Sequence, residues 1–127
     1  VVVGAAPVAV RMGGHRRPPH LRHWVYLIWR SKRAGVELYI DTGDAAENKK
    51  ILAVMLDQRE SAEDIFSGPL DWQLMENRRA CRVRMEFECG GLSGPHDEWA
   101  TIQERMIRAM DKLVMALGPL LRQARAS

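Results

Sequence analysis

Cysteine, lysine and aromatic side chains are scarce in this chain. Two cysteines in 127 residues leave no room for a disulfide framework. Cys81 and Cys89 read as two ends of one strand, ~26 Å apart at ~3.3 Å per residue, too far to bond each other. Two unbridged thiols suit a reducing compartment, and the cytoplasm is the expected location. No apolar run approaches the ~20 residues of a membrane-spanning helix, so no membrane association is expected. The apolar start VVVGAAPVAV is followed, not preceded, by basic residues, the reverse of a signal peptide. Acid is absent from residues 1–36, which carry seven Arg and Lys. Histidine is sparse. His20, His23 and His96 fall into no metal-ligand spacing with the two cysteines, so neither a metal nor a cofactor is expected. A Gly-rich phosphate loop is also missing: Gly90-Gly91 and Ser93-Gly94 have neither the lysine nor the spacing.

What is present is ordinary globular composition, 46% hydrophobic and 28% charged, enough for one domain with one core. The net charge of +3 hides a strong segregation. Residues 37–76 hold ten acids and three bases, whereas residues 77–127 hold nine bases and six acids. Arginine outnumbers lysine fifteen to four.

The period of the apolar residues gives the elements. Residues 1–22 mix Gly, Pro and charge and read as a loosely ordered tail, with a short strand at Val8–Val10. HWVYLIW (23–29) and GVELYID (35–41) read as a strand pair joined by a charged turn. Asp44 with Glu47 resembles a capping box and opens a helix carrying Ile51, Leu52, Met55, Ala62, Ile65 and Phe66, which Gly68-Pro69 ends. Leu70, Trp72 and Leu74 alternate in a short strand. In RACRVRMEFEC (79–89), Cys81, Val83, Met85, Phe87 and Cys89 alternate without a slip with Arg82, Arg84, Glu86 and Glu88. Pro95 starts a long helix with a stripe of Trp99, Ile102, Met106, Met110, Leu113, Leu117 and Leu120, which Gly118-Pro119 should end or kink. The expected fold is α+β, residues 23–127 forming one ββαββα domain. It has a four-stranded antiparallel sheet with two helices packed on one face, and the other face left to solvent.

The order GVELYI (35–40), an acidic helix, LDW (70–72), ACRVRM (80–85) and Trp99 on a long helix resembles a bacterial and archaeal family catalogued as domain of unknown function 4268, over about residues 23–121. The resemblance implies an accessory domain, often the C-terminal part of longer proteins. Some of those carry a nuclease-like N-terminal domain or sit near restriction and defence genes. No catalytic residues are established for the family, so none carries over. The chain departs at the front. Only ten residues separate Trp24 from Gly35, where the family has a longer hairpin, which leaves the first strand open.

Three functional readings follow. In the first, both hairpin turns contact nucleic acid, DNA or RNA. Arg30, Lys32 and Arg33 lie in one turn and Arg78 and Arg79 in the other. Arg82 and Arg84 continue inward, and Tyr39 adds a stacking surface. A doubled ββα arrangement gives the two turns related positions. The plain alternative is a solvated polar face. In the second, Met106, Met110, Met115 and Leu121 on the last helix meet a second copy or a nuclease-like partner. The third is a nuclease. Glu47-Asn48-Lys49 matches the E-x-K of restriction-type enzymes, with Asp41 and Asp44 nearby, but it falls in the first turn of a helix, where a cap is the simpler role.

Overall fold

The computed structural model describes residues 2–3, 6–10, 23–29, 32–74, 76–89 and 94–126, the first three segments as backbone strands. The strands are β1 (Val2–Val3), β2 (Ala6–Val10), β3 (His23–Trp29), β4 (Arg33–Ile40), β5 (Asp71–Gln73) and β6 (Cys81–Glu88). The helices are α1 (Ala45–Leu56), α2 (Arg59–Phe66) and α3 (Trp99–Ala126), the last preceded by a 3-10 turn at His96–Glu98.

The expected four-stranded antiparallel sheet with two helices in ββαββα order is overturned. Where side chains are described, the sheet is three antiparallel strands, β4, β6 and β5, carrying three α-helices. Backbone pairing extends it in the order β1-β2-β3-β4-β6-β5, and β2 runs parallel to β3. Two physical causes separate the structure from the expectation. The apolar stretch at the chain start pairs with β3, whose second edge is otherwise bare. The acidic helix also breaks. Gln58 leaves helical geometry (φ −115°, ψ 25°), and its N–H donates to the Met55 carbonyl at 3.0 Å. The break lets α2 turn onto α3 and bury Ala62 and Phe66.

Two helix ends also differ. Ser67, not Gly68, takes the left-handed conformation after α2 (φ 69°), and the Ser67 and Gly68 N–H groups donate to the Asp64 and Glu63 carbonyls. Pro119 lies inside α3 instead of ending it. The apolar stripe continues past it through Leu120, Leu121 and Ala124, all buried, and that packing holds the last two turns.

One core lies between the helices and one face of the sheet. Val36, Leu38 and Ile40 of β4 stand opposite Met85, Val83 and Cys81 of β6. Ile51, Leu52, Met55, Met106, Leu113 and Leu117 cover them. Each such side chain taken fully from water contributes ~1.5–3 kcal/mol. The strands approach so closely at Gly35 that a Cβ there would overlap the Met85 carbonyl oxygen and come within 2.8 Å of Glu86 Cα. Gly35→Val should therefore lose ~1–3 kcal/mol in urea unfolding, while Gly68→Ala, with open space around it, should be nearly neutral. An unchanged midpoint for Gly35→Val would mean that β4 and β6 are not this close.

Candidate functional site

The second face of the sheet, expected to be wet, is largely buried. Glu37 is 1% exposed, and the Arg82 and Arg84 side chains keep only 21% and 13% of their surface. Strand pairing explains the cluster. Glu37 stands opposite Arg84, Tyr39 opposite Arg82, and Gly35 opposite Glu86. From the other side β5 sets Asp71 opposite Arg84 and Gln73 opposite Arg82. The result is a charged ladder across three strands. Arg82 Nε donates to Gln73 Oε1 at 2.5 Å, and Gln73 in turn donates to Asp71. Arg84 closes on Glu86. Glu37 Oε1 lies 3.6 Å from Arg82 and 3.7 Å from Arg84, within ion-pair but beyond hydrogen-bond distance, and Oε2 accepts no hydrogen bond from a described residue. Burial pushes the Glu37 carboxyl up to about 7, against the pull of the two guanidiniums.

A second network ties β4 to α1 and to the turn before β6. Asp41, 1% exposed, accepts from the Gly43 N–H (2.8 Å), from Asn48 Nδ2 (3.2 Å) and from Arg79 through Nε and Nη2. Asn48, fully buried, accepts from the Thr42 N–H and hydroxyl, both at 2.7 Å, and donates to the Arg79 carbonyl at 2.9 Å. Burial works to raise the Asp41 pKa, but the donors and the Arg79 charge outweigh it and hold it below the usual carboxylate range. Asp44 caps α1 by accepting from the Ala46 and Glu47 N–H groups. Lys49 donates to the Glu76 carbonyl at 2.9 Å. The E-x-K residues thus lie on the first turns of α1, with Asn48 at the centre of a scaffold contact.

The cations singled out from the sequence divide into groups. Arg30 lies outside the described residues. Lys32, Arg33 and Arg78 are exposed and form no ion pair among the described residues. Arg79 is bound to Asp41, and Arg82 and Arg84 face Glu37. The two turns do not share a position. Arg33 pairs with Glu88 and Ile40 with Cys81, so the turns sit at opposite ends of β4, ~23 Å apart at ~3.3 Å per residue. Arg33 also neighbours Glu86 and Glu88. Of the last-helix residues, Met106, Met110 and Leu121 are buried in the core, whereas Met115 is 65% exposed. His96 stacks on Trp99, with ring centroids 4.1 Å apart. No group of three His, Cys, Asp or Glu among the described residues is placed to hold a metal ion. Among the described residues, no helix is long and apolar enough to cross a membrane.

A family profile described as domain of unknown function (DUF4268) matches residues 21–121. The chain belongs to this family. No curated protein and no solved structure matches it. The DUF4268 match begins just before β3 and ends within α3, so it takes in the charged ladder and the Asp41 network.

Sequence reasoning missed another group of cations in this DUF4268 chain. Arg105, Arg108 and Lys112 of α3 are exposed on one side of the helix and border a cleft. Their i, i+3, i+7 spacing is the signal in the sequence, and it is the spacing of any solvated helix face.

Glu37 makes a testable pH dependence. Its folded pKa lies above its unfolded one, so its contribution is fully present below about pH 4.5 and is lost as the pH rises towards about 7. Wild-type stability should fall by on the order of 3 kcal/mol across that window, whereas Glu37→Gln should lack this fall and be the more stable protein at pH 8. Asp41, with its lowered pKa, acts in the acid range below this window. Unfolding profiles that run parallel from pH 5 to pH 8 would refute the assignment.

Proposed function

We propose that this DUF4268 chain is a non-catalytic accessory domain of a cytoplasmic restriction- or defence-type system, and that it contacts nucleic acid through its exposed cations. The observation that carries the non-catalytic part is the employment of the E-x-K region. Asn48 is buried among fold-holding hydrogen bonds, Lys49 is tied to a backbone carbonyl, and Asp41 is taken up by Arg79. Residues engaged in this way support a scaffold role over a Mg²⁺ centre. The second half is supported by Lys32, Arg33 and Arg78, which remain exposed after the internal ion pairs are made. Exposed cations on a chain of net charge +3 are what a phosphate backbone meets.

A second reading has its own observation. Ile107 and Met115 of α3 are 54% and 65% exposed, an apolar contribution to contact with a nuclease-like partner or a second copy.

The test is binding of labelled duplex and single-stranded nucleic acid, DNA and RNA, at low and physiological salt, wild type beside Arg78→Glu. Arg79 stays intact because reversing it would unseat Asp41. Binding should weaken steeply with salt and be weaker in the variant. No binding at low salt, together with a mass that rises with protein concentration and falls back in Met115→Glu, would favour the interaction module. Divalent-dependent nicking lost in Glu47→Ala would overturn the non-catalytic assignment.

A further inference from the structure

The cleft beside α3 has the features of a polyanion site. It encloses about 460 Å³ between the end of α2, β6 and the first half of α3. Phe66, Met85 and Ala109 line it with apolar surface, and Arg105, Arg108 and Lys112 line it with positive charge. The three cations occupy one helix face and span ~10 Å along the axis at ~1.5 Å per residue, so they form a row rather than a point.

The cations differ in how they are held. The Arg105 guanidinium lies 3.8 Å over the Phe87 ring, which fixes it without neutralising it. Lys112 makes no ion pair among the described residues. Arg108 donates to Glu104 at 2.6 Å, and Glu104 also borders the cleft as the one acid among its described lining residues. Three cations against one carboxylate leave the cleft positive. This contrasts with the sheet and the turn before β6, where Arg82, Arg84 and Arg79 all meet acids.

We propose that this cleft binds the phosphodiester backbone of a nucleic-acid strand. The proposal rests on the nucleic-acid reading above and adds to the hairpin cations a second contact, on α3. The row of charges follows successive phosphates, and guanidiniums match phosphate oxygens in shape as well as charge. The apolar floor accepts a base or sugar face. Glu104 is a competitor: the incoming phosphate shares Arg108 with it and is repelled by it.

This gives charge changes of opposite sign on one surface. With short labelled single-stranded and duplex DNA at low salt, Lys112→Glu and Arg108→Glu should each weaken binding by about tenfold or more. Glu104→Gln should tighten it by a few-fold, an outcome that a folding defect does not produce. Inorganic phosphate at matched phosphate concentration should compete poorly, because a single anion meets only part of the row. If the wild type binds DNA in a salt-sensitive way but Lys112→Glu, Arg108→Glu and Glu104→Gln bind as it does, the cleft is overturned and the nucleic-acid reading stands. Competition by inorganic phosphate as strong as that of DNA would also overturn it, in favour of a single-anion site. So would binding of an acidic peptide in place of DNA. No DNA binding by the wild type at low salt overturns both.

Discussion

Glu37 sits in the middle of a strand that has neighbours on both edges and no exposed face. β4 is paired with β3 on one side and β6 on the other. Ala34, Val36, Leu38 and Ile40 are buried towards the helices, and Glu37 is buried on the opposite face. A carboxylate in that place is costly unless compensated, because burial penalises the ionised form and its own strand offers no partner. The register of β6 supplies part of the compensation by setting Arg84 opposite it and Arg82 on the diagonal, against a burial cost that still holds its pKa up at about 7. A slip of one residue would turn Glu37 or the arginines onto the apolar face. The ion cluster and the core therefore specify the same register by independent means.

The rest of the molecule is arranged around the ends of β4. At one end, Asp41 and Asn48 join the strand to α1 and to the turn before β6 through hydrogen bonds that leave little freedom in the connection. At the start of β5, Glu63 of α2 does similar work. It accepts from the Leu70 N–H at 2.7 Å and from Trp72 Nε1 at 3.3 Å. The Leu70 donor is the chief reason the Glu63 carboxyl is held below its ordinary range. Short elements such as α2 and β5 are marginal on their own, and these side-chain bonds fix one against the other.

The period of the apolar residues was legible where an element is long and one-sided. β4, β6 and most of α3 follow from alternation or from the helical stripe. The break between α1 and α2 was not, because Met55, Ala62 and Phe66 keep the spacing of a continuous helix and no Gly or Pro marks residues 57–58. Pro119 reads as an end or a kink, and it does not end α3: tertiary burial of Leu120, Leu121 and Ala124 overrides the local cost of proline. The outer face of β6 was misjudged for a different reason. Alternating Arg82, Arg84 and Glu86 look the same whether that face meets water or is covered, and the residue that decides is Glu37, far away in sequence.

The charge segregation along the chain acquires a physical meaning in the fold. The acidic segment 37–76 and the basic segment that follows are not two surfaces. Glu37 meets Arg82 and Arg84, and Asp41 meets Arg79, so each segment neutralises part of the other where the strands and their connections meet. A count of basic residues in the hairpins therefore overstates the positive field there. What survives outward is charge that has no acid opposite it in the pairing. α3 pairs with no strand, so its exposed side is free of that constraint, and Arg105 and Lys112 keep their charge there beside apolar surface. The external polarity of the domain is thus set less by how many cations the chain carries than by which of them strand pairing leaves over.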